Sequence, residues 1–302
     1  MNEDSVFSTT PAPAGSSGPG AGTASSDELT RQLLIKVDPR LSRFDPLRRI
    51  IFFDDFDDGL RGWTELMPNY EGSLDHLMNP NSYMLLDKRP PMLSSSSTWD
   101  TGTAGSLDGT YALKVTTRPQ KGHLPKALKR ITWFRRGLLQ CEAIFTFKAE
   151  ASELTLGDVD FRAFGLSYDL QDDGYRYWPA VRYLNAEDGV LQQKWQAHTG
   201  GVRHPHHDGW SDIPGGHQPL CYNEIATKQN WHYLRWLIDL RSREYVDLQC
   251  NERVWDLRGL RHEPTPVKPN LWYLLNVGFW AEADKDKRAF LLLDSVVLSS
   301  EV

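Results

Sequence analysis

Leu139-Gln140-Cys141-Glu142-Ala143-Ile144-Phe145-Thr146-Phe147-Lys148 is the stretch that decides the fold class. Leu139, Cys141, Ala143, Phe145 and Phe147 share one parity, and Gln140, Glu142, Thr146 and Lys148 share the other, with Ile144 as the exception. Successive side chains of a strand point to opposite faces, so this period-two pattern predicts a strand with one buried face and one wet face. Residues 231–241 repeat it. Leu234, Trp236, Ile238 and Leu240 stand against Tyr233, Arg235, Asp239 and Arg241, with Leu237 as the exception.

Working outward, further strands are predicted over residues 50–56, 111–117, 128–134, 161–170, 175–183, 190–197, 245–250, 253–257, 271–281 and 289–298. They are separated by turn signals rather than helical patterns, and no internal repeat marks a propeller. The expectation is an all-β chain: an antiparallel two-sheet jelly-roll β-sandwich over residues 49–302 with a disordered N-terminal tail. The tail, residues 1–26, is dominated by Ser, Thr, Pro, Ala and Gly. Such a composition buries too little apolar surface to offset ordering entropy. Residues 27–48 form a connector, with a short helix predicted from Asp27 through Ile35, Leu29 and Leu33 on one face, and Pro39 ending it.

The chain has 302 residues, a formal net charge of -6, 11 Trp and 11% aromatic residues. The acidic balance argues against a nucleic-acid partner, which needs clustered Lys and Arg to neutralise phosphates. No apolar run reaches the roughly 18 residues of a spanning helix, so no membrane partner is expected. Cys141, Cys221 and Cys250 lack any metal or disulfide spacing, and the start Met1-Asn2-Glu3-Asp4 lacks a leader pattern. Reduced thiols without a leader place the expectation in the cytoplasm, with an extracellular location as the alternative. Nothing in the sequence sets the oligomeric state.

Trp231-His232-Tyr233-Leu234, then Ile238-Asp239-Leu240, then residues 245–254 with the turn Asn251-Glu252, resemble the strand-and-hairpin segment of concanavalin A-like lectin and glucanase domains. Those domains usually place Asn-Gly at the turn, so Asn251-Glu252 is a departure. The opening Ile51-Phe52-Phe53-Asp54-Asp55-Phe56-Asp57-Asp58-Gly59 with Trp63, and the closing residues 291–298, resemble the same superfamily. Spanning about residues 50–300, the resemblance implies a jelly roll and, as its function class, carbohydrate recognition.

Four groups of residues are candidates for chemistry. Sugar rings lie flat on aromatic faces while their hydroxyls seek polar groups, which singles out Tyr175, Tyr177, Trp178, Arg182, Tyr183, Trp195 and Trp210 as a ligand platform. The loop His204-Pro205-His206-His207-Asp208, with His198 and His217 nearby, offers imidazole and carboxylate ligands for a metal; more commonly such a loop walls a cleft, which makes His206, His207 and Asp208 ligand-binding candidates. Asp54, Asp57 and Asp294 could hold a structural calcium ion if the first and last strands pair. Finally, glycoside hydrolysis needs two facing carboxylates. Neither Asp158 with Asp160 nor Glu244 with Asp247 matches the same-strand acidic pattern of retaining glucanases, so no catalytic residue is assigned. The sequence therefore predicts a carbohydrate-recognising β-sandwich with an aromatic and His-lined cleft. Its alternatives are a glycoside hydrolase or polysaccharide lyase on the same fold, and a non-enzymatic protein-interaction module.

Overall fold

A computed structural model describes residues 26–65, 91–95, 105–150, 159–172, 174–200, 209–220, 229–266 and 273–302. The chain divides into two compact units, the first ending at Arg43 and the second spanning Phe44–Val302. In the first, α1 (Ser26–Val37) is followed by a 3-10 turn, Pro39–Arg43. The tail expected over residues 1–26 lies outside the described residues except for Ser26, which opens α1.

The second unit is β throughout its described residues. In chain order the strands are β1 (Arg49–Asp54), β2 (Trp63–Glu65), β3 (Met92–Ser95), β4 (Tyr111–Thr116), β5 (Lys126–Thr132) and β6 (Leu138–Ala149). Next come β7 (Phe161–Asp172), β8 (Tyr175–Tyr177), β9 (Ala180–Glu187), β10 (Val190–His198) and β11 (Trp210–His217). The last are β12 (His232–Asp239), β13 (Glu244–Cys250), β14 (Arg253–Asp256), β15 (Thr265–Pro266), β16 (Leu274–Ala283) and β17 (Ala289–Ser300). They form two antiparallel sheets, an eight-stranded one ordered β14-β13-β12-β6-β17-β4-β3 with β1 also on β17, and a nine-stranded one ordered β11-β10-β9-β7-β16-β5-β2 with β8 on β7 and β15 on β8. Sequence neighbours are mostly not sheet neighbours, as in β6 beside β17 and β7 beside β16, which is the jelly-roll crossover pattern.

One core fills the space between the sheets. Phe145 and Phe147 of β6 meet Phe164 of β7 at ring-centroid distances of 4.6 and 5.4 Å. Trp236 of β12 stacks on Tyr168 of β7 at 4.6 Å and 16°. Tyr245 of β13 crosses between the sheets, its hydroxyl donating to the His198 carbonyl at 2.6 Å and accepting the Ala180 N–H at 3.0 Å. A buried phenol satisfied at both ends pins the spacing of the layers.

Two sequence expectations change. The other face of β6 is not wet: Gln140, Glu142, Thr146 and Lys148 are all buried. Residues 44–47 lie along that face. The Asp45 N–H donates to Glu142 Oε1 at 2.7 Å, Gln140 Nε2 donates to the Asp45 carbonyl at 2.8 Å, and the Leu47 N–H donates to Ser299 Oγ at 3.0 Å. Phe44 packs on Phe53 and Tyr233, whose hydroxyl donates to Glu142 at 2.7 Å. The Lys148 ammonium lies over the Phe290 ring. The second change is that the strand expected over residues 175–183 is two strands, β8 and β9, divided at Trp178-Pro179, where proline has no N–H to donate to a ladder. Strands β2, β3, β11 and β15 were not expected; they are short or, in β11, interrupted by Pro214-Gly215-Gly216.

Candidate functional site

Alternation along the nine-stranded sheet divides the aromatic candidates between its two faces. Tyr177, Tyr183 and Trp195 point into the core and are 3%, 0% and 0% exposed. Tyr183 and Trp195 are direct cross-strand partners, so their shared parity is real, but the face they share is the inner one. Their polar tips are satisfied internally, Tyr183 donating to the Gln218 carbonyl at 2.8 Å and Trp195 Nε1 to Gln218 Oε1 at 3.0 Å. Tyr177 donates to the Arg243 carbonyl at 2.9 Å. These three are core residues, because large aromatics supply most of the area a sandwich buries. Trp178, Arg182 and Trp210 sit on the outer face, and Tyr175 is exposed beside the Arg243 guanidinium.

The pairing registers lay this outer face out in rows across the strands. One row reads Lys126, Trp280, Gly165, Arg182, Gln196, Asp212 over β5, β16, β7, β9, β10 and β11. The next reads Leu128, Gly278, Ser167, Ala180, and the one after it Arg130, Asn276, Asp169. Gly278, Ser167 and Ala180 thus make a low band between two rows of long polar and aromatic side chains.

On one side of the band stands Asp169. Its carboxylate accepts from Arg176 Nε and Nη2 at 2.7 and 2.9 Å, from Asn276 Nδ2 at 3.0 Å, and from the indole N–H of Trp178. Burial alone would raise this carboxyl, but the Arg176 charge and the donors on Arg176, Trp178 and Asn276 outweigh it and hold it below the usual range. Arg130 Nε extends the network to Asn276 Oδ1 at 2.9 Å. The Arg176 guanidinium lies 3.6 Å over the Trp178 ring, so the half-buried indole is fixed both in its plane and on one face.

On the other side stand two buried cations. Lys126 is 7% exposed, and its aliphatic chain lies over Gly278. Burial pushes its ammonium down to about 8, the Asp169 charge partly restoring it and the Arg176 charge opposing. Arg182 is 8% exposed, gives its Nε–H to Gln196 Oε1 at 2.6 Å and stacks on Trp210 at 4.3 Å. Burial brings it down to about 10. Between them Trp280 lies across Gly165, whose position a Cβ could not occupy without overlapping the indole. At the end of this face Glu282 pairs with Arg162 at 3.2 Å and is raised to about 7, chiefly by burial.

The remaining candidates fall elsewhere. His204, His206, His207 and Asp208 lie outside the described residues. His198 is buried and stacked on His262 at 5.0 Å, while His217 is exposed at the end of β11. The first and last strands do pair, Asp54 opposite Val296. Yet Asp54 accepts from Trp63 Nε1 at 2.8 Å and Lys129 Nζ at 2.6 Å, Asp57 from the Thr110 and Tyr111 N–H groups, and Asp294 from the Leu107 and Asp108 N–H groups. Three separate sets of protein donors hold these carboxylates, and no group of three or more His, Cys, Asp or Glu arranged to hold an ion occurs among the described residues. Asp158 is outside the described residues, Asp160 pairs with Lys287, Glu244 with Arg261, and Asp247 with Arg235.

Lys126, Asp169, Arg176, Asn276 and Trp280 escaped the sequence reading. For Asp169, Asn276 and Trp280 the signal was the second parity of two strands, Ala163-Gly165-Ser167-Asp169-Gln171 and Leu274-Asn276-Gly278-Trp280-Glu282, each mixing small or polar residues where the first parity is apolar; Lys126 and Arg176 had no such signal.

No curated protein matches the sequence. Among solved structures, the metal-free Emp46p carbohydrate recognition domain aligns at TM-score 0.37 and 11% identity, over 80% of this chain and 97% of that one. The CBM2 module of the evolved Dit of Lactobacillus casei BL23 phage J-1 aligns at 0.41 and 10%, over 84% and 96%. The cellulose induced protein Cip1 aligns at 0.42 and 13%, over 82% and 97%. Residues 31–302 match the family model described as "Domain of unknown function (DUF6772)", and the chain belongs to that family.

Proposed function

We propose that this protein recognises a carbohydrate on the outer face of its nine-stranded sheet. The observation behind this reading is the Asp169 network: a carboxylate beneath the surface that holds an indole, a guanidinium and an amide in fixed orientation around itself. Sugars are bound by this combination, because their C–H faces pack on a ring while their hydroxyls take paired donors and acceptors from planar polar groups. Preorganisation by Asp169 reduces the ordering cost that flexible surface side chains would incur. Ser167 and Ala180 carry short side chains beside the network, and the Lys126 chain covers Gly278.

A glycan array of the purified chain, read for wild type, Trp178→Ala and Tyr175→Ala, tests the proposal. Wild type is expected to bind, Trp178→Ala to lose at least tenfold in affinity, and Tyr175→Ala to change little, since the ring of Tyr175 lies outside the network. A folded wild-type protein that binds no glycan overturns it.

A further inference from the structure

We infer that the carbohydrate taken by this face is anionic, carrying a carboxylate or a sulfate ester, and that its negative group pairs with Lys126 above Gly278. The inference rests on the carbohydrate reading and deepens it.

The Lys126 ammonium forms no hydrogen bond or direct ion pair with a described residue, although the side chain is more than nine-tenths buried, and the nearest described carboxylate whose charge it feels, Asp169, is held by other donors. A lysine so placed normally has a carboxylate partner, because a charge withdrawn from water is costly unless paired. Its direction is fixed by the floor beneath it. A Cβ at position 278 would overlap Lys126 Cε and sit 3.4 Å from Nζ, so the chain runs across the glycine and sets its amine over the low band.

The neighbouring carboxylates are already committed. Asp169 is taken by Arg176, Trp178 and Asn276; Asp212 pairs with Lys194 at 2.8 Å; Glu282 pairs with Arg162. Arg182, in the same row as Lys126 beyond Trp280 and Gly165, likewise forms no ion pair with a described carboxylate and uses only its Nε toward Gln196. The band is thus flanked by two cations that feel Asp169 and Glu282 only through space and make no direct ion pair with a described carboxylate. A neutral sugar would leave both unpaired, whereas an anionic one completes them.

The test measures binding of the full chain to a polyuronate, to the same polymer after carboxyl reduction, to a sulfated polysaccharide and to its desulfated form. Binding to one anionic polymer, at least tenfold tighter than to its neutral counterpart, is expected, and the pair that shows it identifies carboxylate or sulfate. Lys126→Met should abolish that preference while keeping a cooperative thermal transition at or above that of wild type, since methionine fills the same space without the charge; Arg182→Gln, a second variant, should reduce it. Equal binding to anionic and neutral forms overturns the inference and leaves the carbohydrate reading standing. A preference that survives in both folded variants overturns the role of these cations. Absence of binding to every polymer, neutral ones included, removes both readings.

Discussion

The side chain of Lys126 occupies the space that any side chain at position 278 would need. Lys126 stands opposite Trp280 on the neighbouring strand, two residues from Gly278, and leans across the glycine. Gly278→Ala therefore forces both Lys126 and Leu128 to move, at a cost of about 1 to 3 kcal/mol typical of overpacking. Adding Lys126→Ala should recover part of that loss, and a double-mutant cycle by urea denaturation measures the coupling.

Replacing Lys126 by methionine should stabilise the protein. Its ammonium titrates at about 8 in the folded chain against 10.5 unperturbed, because burial penalises the charge; Asp169 offsets this in part and Arg176 adds to it. Between those values the native state binds fewer protons than the unfolded state, so stability rises with pH across that window. At pH 7 the variant is expected to gain about 1 to 3 kcal/mol, and the rise above pH 8 should disappear. Denaturant unfolding at pH 7 and pH 9.5 checks both.

Glu282 gives the opposite slope. Burial and the nearby Asp284 and Glu187 raise its carboxyl from 4.5 to about 7, outweighing Arg162 and Arg182. The native state then binds more protons than the unfolded one across that interval. Its contribution is complete below pH 4.5 and lost as pH rises to about 7, in total of order 2 to 3 kcal/mol. Glu282→Gln should flatten this segment of the stability profile, measured as the urea midpoint from pH 4.5 to 8.

Glu142 anchors residues 44–47 to the eight-stranded sheet. Glu142→Ala would leave the Asp45 N–H and the Tyr233 hydroxyl without their acceptor and should cost about 3 kcal/mol. Hydrogen exchange should show protection lost first at Asp45.

The legibility of the sequence differs between strands and site for a physical reason. Alternation located β6 and β12 because each reports its own periodicity. The same alternation placed Tyr183 and Trp195 together but could not say which face looks inward, since Arg182 and Gln196 on the opposite parity are long and amphipathic too. Asp169 gained meaning only through Asn276, 107 residues away and adjacent by the pairing of β7 with β16. Non-local register of that kind has no local signature. The wet face expected for β6 failed likewise, because residues 44–47, about 95 residues upstream, cover it.

The most direct measurement is a titration of the full chain with the best-binding oligosaccharide, followed through the indole N–H resonances of its 11 tryptophans by NMR. If the outer face of the nine-stranded sheet is the binding surface, Trp178 shifts most, with Trp280 and Trp210 following, while Trp236 and Trp195 in the core stay in place. Shifts centred on Trp231 or Trp255, with Trp178 unmoved, would contradict the account.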